Sequence, residues 1–271
     1  MLKDVTLGQY FPGNSIIHRL DPRFKIIITI IYILMLFAGN SIICLGVGAV
    51  FTFMAIFLSK IPFRMFVRSL KPICPILLLT SLFNLIFVKS GNIIFKWSFI
   101  EITDEALSIS VFMFVRIILL IMGSSLLTYT TSPITLTDAI ERLLSPLKKL
   151  KLPVHELAMM MTIALRFIPT LIEETEKIMS AQKARGAEID SGSFMTRAKN
   201  MVSILVPLFI SSFRRADELA TAMECRCYRG GDGRTRLRQL KSAPRDYIAL
   251  GITLIFYGIN IAVGIIAKAK L

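Results

Sequence analysis

Histidine, cysteine, tryptophan and acidic residues are all scarce in this 271-residue chain, and the shortages exclude several classes of protein. With only His18 and His155, a histidine-built metal centre has too few ligands. His155-Glu156 opens a zinc-protease pattern, but Met159 stands where the second ligand belongs. Cys225-x-Cys227 has no second pair near it, so its thiols read as small apolar spacers, and no metal is expected. Cys44, Cys74, Cys225 and Cys227 form no disulfide framework and are expected to be reduced. Acidic residues number 18 against 32 Lys and Arg, a formal charge of +14. No aromatic residues interleave with a basic stripe, so nucleic acid is not the expected partner. Gly230-Gly231-Asp232-Gly233 lacks the Lys-Ser/Thr of a phosphate-cradling loop and reads as a helix stop. In the apolar runs no serine, cysteine or aspartate has a base beside it, so the chain is not expected to be an enzyme.

Apolar residues are abundant instead. They make up 54% of the chain, with a mean hydropathy of +0.67, too apolar for an ordinary soluble domain. Apolar runs predict spans near 24–39, 41–59, 72–88, 106–130 and 246–267. Turn-forming Ala38-Gly39-Asn40-Ser41 makes 24–59 a tight hairpin of two helices. The fold class expected is all-α: a polytopic membrane protein of about five transmembrane helices with long cytoplasmic helices. The organisation expected is 1–130 with four spans, 131–245 as a cytoplasmic helical region, and 246–271 as a C-terminal span.

Loop charge sets the orientation. Arg19, Arg23 and Lys25 precede or open the first span; Lys60, Arg64, Arg68 and Lys71 lie between the second and third; the hairpin tip is uncharged. A strongly basic stretch follows the fourth span. The bias puts the N-terminus and that stretch in the cytoplasm, with Lys268 and Lys270 left against the trend. Positions 1–23 are polar and show no secretory leader pattern. Arg234, Arg236, Arg238, Lys241 and Arg245 are expected to hold the last span's cytoplasmic end near anionic lipid.

Within 131–245 three helices are expected. The first starts at Thr131-Ser132-Pro133 and runs to Lys151, the second from about Val154 to Arg185, the third from about Phe194 to Tyr228. Pro169 and Pro207 lie inside the two long helices and are candidate bends. Both helices end on an arginine between small residues, Ala184-Arg185-Gly186 and Cys225-Arg226-Cys227. Small flanks let a partner surface close around a guanidinium fork, which suits a fixed carboxylate or carbonyl socket. A plainer reading is a cation favoured at a helix C-terminus by the macrodipole. Aligning Arg185 with Arg226 also matches Glu176 with Asp217, Ile178 with Leu219, Ser180 with Thr221 and Ala181 with Ala222, a weak repeat. The N-terminal halves of both helices are too apolar for solvent and must cover themselves on each other, on the spans or on a membrane partner. Arg116, near the middle of the fourth span, must face protein, water or a counter-charge. A structural bond within the bundle, with Asn84 as helper, and a role at a membrane partner both remain open.

Gly8-Gln9-Tyr10, Pro12-Gly13-Asn14-Ser15 and His18-Arg19-Leu20-Asp21-Pro22-Arg23 closely resemble the start of the transmembrane T component (EcfT/CbiQ-like) of energy-coupling factor transporters. Thr130-Thr131-Ser132-Pro133, Arg166-Phe167-Ile168-Pro169 and Ala181-Gln182-Lys183-Ala184-Arg185-Gly186 extend the resemblance over nearly the whole chain. One departure is Cys225-Arg226-Cys227, where this family often has an Ala-Arg-Gly-like motif. The resemblance implies a coupling subunit of an ABC-type importer of a vitamin or transition metal, in a prokaryotic plasma membrane. It implies two ABC ATPase subunits, a small substrate-binding S component, and ATP and Mg bound by the ATPases, with no cofactor on this chain. By the same resemblance, Ala184, Arg185, Gly186, Cys225, Arg226 and Cys227 dock the ATPases. The apolar coupling-helix surface would bear the S component, with Met159, Met160, Ile163, Phe167, Leu205 and Phe209 as contacts. The alternative is a self-contained secondary transporter or channel, which predicts an inverted repeat in the spans; none is seen.

Overall fold

A computed structural model describes residues 10–39, 41–88, 90, 92–97, 100–150, 153–187, 194–230 and 240–269. Gly8, Gln9, the arginines of 234–238 and the glycines at 231 and 233 lie outside the described residues. The chain divides into two compact units, one of Gly8–Leu136 with Leu240–Leu271 and one that contains Thr137–Gln239.

The first unit holds α1 (Pro22–Ala38), α2 (Ile42–Ser59), α3 (Phe63–Leu70), α4 (Cys74–Phe87), α5 (Asp104–Thr130) and α9 (Pro244–Ala269). Local chemistry starts these helices where they start. Asp21 caps α1 by accepting from the Arg23 amide, and Pro22 opens the first turn, where its missing N–H costs nothing. Thr103 caps α5 by accepting from the Ala106 amide at 3.2 Å, and Asp104 and Glu105 sit in the positive first turn.

The second unit is built on α6 (Pro133–Leu144, whose first residues belong to the other unit), a 3₁₀ turn (Ser145–Leu150), α7 (Val154–Ala184) and α8 (Phe194–Cys225). The expected α-helix to Lys151 stops at Leu144, because Pro146 offers no amide to the Arg142 carbonyl and the chain tightens.

The 24–59 hairpin is found as expected. The span expected at 72–88 is found as α4, and the basic loop expected before it contains α3. α3 and α4 meet at a 59° bend across 71–73, because Pro72 and Pro75 withhold the amides that would carry one helix into the next. α4 alone has 14 residues, roughly 21 Å of helix, too short for a bilayer core of about 30 Å. By length and composition α2, α5, α7 and α9 can each cross a membrane, and the α3–α4 pair makes a fifth. The apolar window of α7 is the weakest of these, at mean hydropathy 1.3 against 2.1–2.4. The protein is an all-α polytopic membrane protein with one small exception that the sequence did not signal. β1 (Ile93–Trp97) and β2 (Ile100–Thr103) form an antiparallel hairpin, with Lys96 opposite Glu101.

α9 packs on α1 and α2, so the C-terminal helix completes the core of the N-terminal spans. Phe24 meets Tyr247 edge-on, and Phe51 stacks on Tyr32 and meets Phe256. Tyr32, Met35, Leu36, Leu45, Phe51 and Leu119 form the centre of that core. The Tyr32 hydroxyl donates to the Leu119 carbonyl at 2.7 Å and shares a bond with Thr52, so no buried polar atom of the pair is stranded. Outward, α1, α2, α4 and α9 present Leu34, Phe57, Phe83 and Ile255, the surface lipid requires.

Candidate functional site

α7 and α8 run antiparallel in close register. Gln182 of α7 reaches Ser203 of α8, and Glu174 meets Ser211 and Arg215. Met159 and Ile163 share a cavity with Met223 and Arg226. Steps forward along α7 are matched by steps back along α8. Arg226 therefore lies beside the start of α7, about 39 Å of helix away from Arg185. Ser211 donates to Glu174 and Arg215 pairs with it at 2.7 Å, and these contacts hold the Glu174 carboxyl below the usual carboxylate range.

The two tips have the same backbone. At the end of α7 the Ala187 amide donates to Gln182 and the Gly186 amide to Lys183, with Gly186 at φ +85°. At the end of α8 the Tyr228 amide donates to Met223 and the Cys227 amide to Glu224, with Cys227 at φ +55°. Each is a Schellman motif with arginine at the C-cap and the left-handed residue next. The weak sequence repeat is thus a structural one, in the alignment expected. Ser180 and Thr221 even make the same bond, to the carbonyl four residues back at 2.8 and 2.9 Å. Arg185 and Arg226 are both exposed, and neither guanidinium has a hydrogen bond or ion pair among the described residues. Ala184, Gly186, Cys225 and Cys227 are exposed around them.

α7 and α8 run without interruption through Pro169 and Pro207. Proline has no amide for the carbonyl four residues back, which for Pro207 is that of Ser203. The Gln182 side-chain amide donates to this carbonyl at 3.3 Å. A residue of the first arginine motif therefore satisfies the gap that the proline opens in the opposite helix. Sequence reasoning quoted Gln182 only as part of a motif; the signal for its role was a helix-interior proline with no polar neighbour of its own.

The six apolar residues expected at a partner surface do not share one face. Met160, Leu205 and Phe209 are exposed, while Met159, Ile163 and Phe167 are half-buried, Met159 and Ile163 on the α7–α8 cavity of about 600 Å³. The sequence reading missed a longer ridge on α8. Met201, Leu205, Phe209 and Phe213 follow one another at four-residue steps, each more than half exposed, with Phe209 and Phe213 edge-to-face at 4.7 Å. That spacing was its signal.

Arg116 forms a structural bond in the bundle. It donates to the Gly39 carbonyl at 2.6 Å and lies 4.4 Å from the Phe112 ring centroid, tying α5 to the end of α1. No group of three or more His, Cys, Asp or Glu gathers as a metal site among the described residues. Cys44 is buried, and Cys74, Cys225 and Cys227 are exposed, all as free thiols.

These observations define an all-α, multi-pass membrane protein whose distinctive feature is a helix pair with two matched arginine caps. The family model described as cobalt transport protein, CbiQ, matches residues 13–237, and the chain belongs to that family. It is similar to the energy-coupling factor transporter transmembrane protein EcfT of Clostridium kluyveri, at 56% identity over 262 residues, 96% of this chain and 97% of the relative. The protein of the same description from Ruminiclostridium cellulolyticum is 52% identical over 256 residues, 94% of this chain and 96% of the relative. That from Bacillus subtilis is 47% identical over 246 residues, 91% and 93%.

Proposed function

We propose that this chain is the coupling subunit of an energy-coupling factor importer, with Arg185 and Arg226 each docking one of two ABC ATPase subunits. The observation that carries this reading is the pair of identical arginine caps at opposite ends of an antiparallel helix pair, both guanidiniums exposed and without a partner among the described residues. A cation held only by the macrodipole needs neither a matched backbone nor a second copy. Two tips about 39 Å apart suit a dimer of motor subunits with one socket each. The ATPases bind ATP and Mg; this chain binds neither and catalyses nothing. The exposed ridge of α8, with Met160 of α7, is the surface for a small membrane S component that captures a vitamin or a transition metal. The system operates in a prokaryotic plasma membrane, with the N-terminus and the α7–α8 pair on the cytoplasmic, basic side.

Movement is transmitted by difference. Closure of the ATPase pair on ATP shifts one tip relative to the other, and helices joined along their length pass that shift to the apolar ridge. The test is charge reversal of each arginine in the assembled complex. Arg185→Glu and Arg226→Glu should each weaken ATPase retention by about 2–5 kcal/mol, with the double variant worse, while the chain stays in the membrane. Stoichiometric co-purification and normal uptake with both reversals would overturn the proposal.

A further inference from the structure

We infer that the cavity between α1, α2, α5 and α9 holds one acyl chain of an anionic phospholipid, whose phosphate is bound by Arg245. The cavity has a volume of about 300 Å³, at the lower end of the range for small-molecule sites, roughly 300–1,000 Å³. Its walls are apolar, with Ile28, Phe51, Met54, Leu126, Ile248 and Ile252 among them.

The polar groups that reach the cavity are already engaged by the protein. Tyr32 bonds Leu119 and Thr52, and Thr52 bonds the Gly48 carbonyl. Thr29, Thr130 and Thr253 each donate to the carbonyl four residues back. The Lys25 ammonium donates to the Thr130 carbonyl at 2.9 Å, to Thr131 at 3.2 Å and to the His18 carbonyl at 3.3 Å. A water or a polar ligand would find no partner along these walls, whereas a hydrocarbon chain needs none.

Arg245 differs from every other lining residue. It is charged and exposed, and it has no hydrogen bond or ion pair among the described residues. The carboxylates at this end are committed elsewhere. Asp246 accepts from the Asp21 and Ala243 amides, and Asp21 pairs with Arg23 at 2.6 Å. Among the described residues placed at this end, the cations Arg23, Lys25 and Arg245 outnumber the carboxylates Asp21 and Asp246. This cationic excess complements an anionic headgroup and gives a zwitterionic one no advantage. An apolar slot with one free guanidinium at its end has the chemistry of a lipid tail joined to a phosphate. The inference is independent of the ATPase-docking proposal, because it uses only the membrane unit.

The full chain would be reconstituted in bilayers of mixed phosphatidylglycerol and phosphatidylcholine, the phosphatidylglycerol carrying a photoreactive group on one acyl chain. After photolysis the labelled peptides would be mapped, and lipids retained without photolysis counted by native mass spectrometry. The expected result is one phosphatidylglycerol per chain, about fivefold preferred over phosphatidylcholine, with label on Ile28, Met54 or Ile252. Arg245→Gln, a surface change, should abolish the preference; Ala249→Phe, which fills the slot, should abolish the label. Equal retention of the two lipids, label confined to other surfaces, or an unchanged preference in Arg245→Gln would each overturn the inference.

Discussion

Gln182 and Ser203 make a bond whose energy can be isolated by a double-mutant cycle at Gln182 and Pro207. In the native chain the Ser203 carbonyl has no helical donor, since residue 207 is proline, and Gln182 supplies one from α7 at 3.3 Å. Gln182→Leu keeps the bulk and removes the donor. An unsatisfied buried carbonyl costs about 1–3 kcal/mol. Both residues are half-buried, so water partly compensates and about 1 kcal/mol is expected. Pro207→Ala restores a backbone amide to Ser203 and removes a ring that costs about 3 kcal/mol in a helix interior, so this variant should be more stable. In that background the carbonyl is already satisfied, and Gln182→Leu should cost close to nothing. The coupling energy, about 1 kcal/mol, is above the scatter expected for independent sites. Unfolding of the full chain in mixed micelles, followed by circular dichroism, gives all four corners. If Gln182→Leu costs the same in the native and the Pro207→Ala backgrounds, the reasoning fails: the 3.3 Å contact then contributes nothing through the proline.

Two further stability measurements probe the membrane unit and the tips. A Cβ at Gly123 would lie 2.2 Å from the Tyr32 ring, so Gly123→Ala should destabilise the bundle by about 1–3 kcal/mol, and less so in a Tyr32→Leu background; equal penalties in both backgrounds would show that α1 does not press on α5 at this point. Cys227 occupies a left-handed conformation, φ +55°, that Gly186 occupies at the other tip, so Cys227→Gly should stabilise the chain by up to about 1 kcal/mol and leave Arg226 docking intact; a loss of stability would mean that the cysteine side chain, not backbone strain, decides that turn.

The spans and the long helices were legible because hydropathy acts locally. A run such as Ile42–Ser59 is apolar throughout and needs no partner to declare itself. The arginine tips were legible for a related reason: a helix ends where small residues and a left-handed position permit it, and both lie within about six residues of sequence. The broken span at α3–α4 was less legible. Pro72 and Pro75 were visible, but Arg64, Arg68 and Lys71 lower the hydropathy before them, so that α3 read as a basic loop and only α4 as a span. The hairpin of β1 and β2 lay between two expected spans, in a stretch where no element was expected. The Gly39 acceptor of Arg116 was not legible because its carbonyl is a backbone group that any residue offers.

Composition, hydropathy and capping chemistry by themselves determined that this is a multi-pass helical membrane protein with two arginine-ended helices, since each of those properties is settled within a few turns of chain. Tertiary structure alone decided that the two ends are copies of one backbone turn on an antiparallel pair, that Gln182 answers the amide missing at Pro207, and that α9 returns to shape an apolar slot with Arg245 at its end. Those facts depend on distant residues meeting, as Gln182 meets Ser203 and Phe51 meets Phe256. A pattern read along one strand of sequence carries the demand for a partner but not the partner's position.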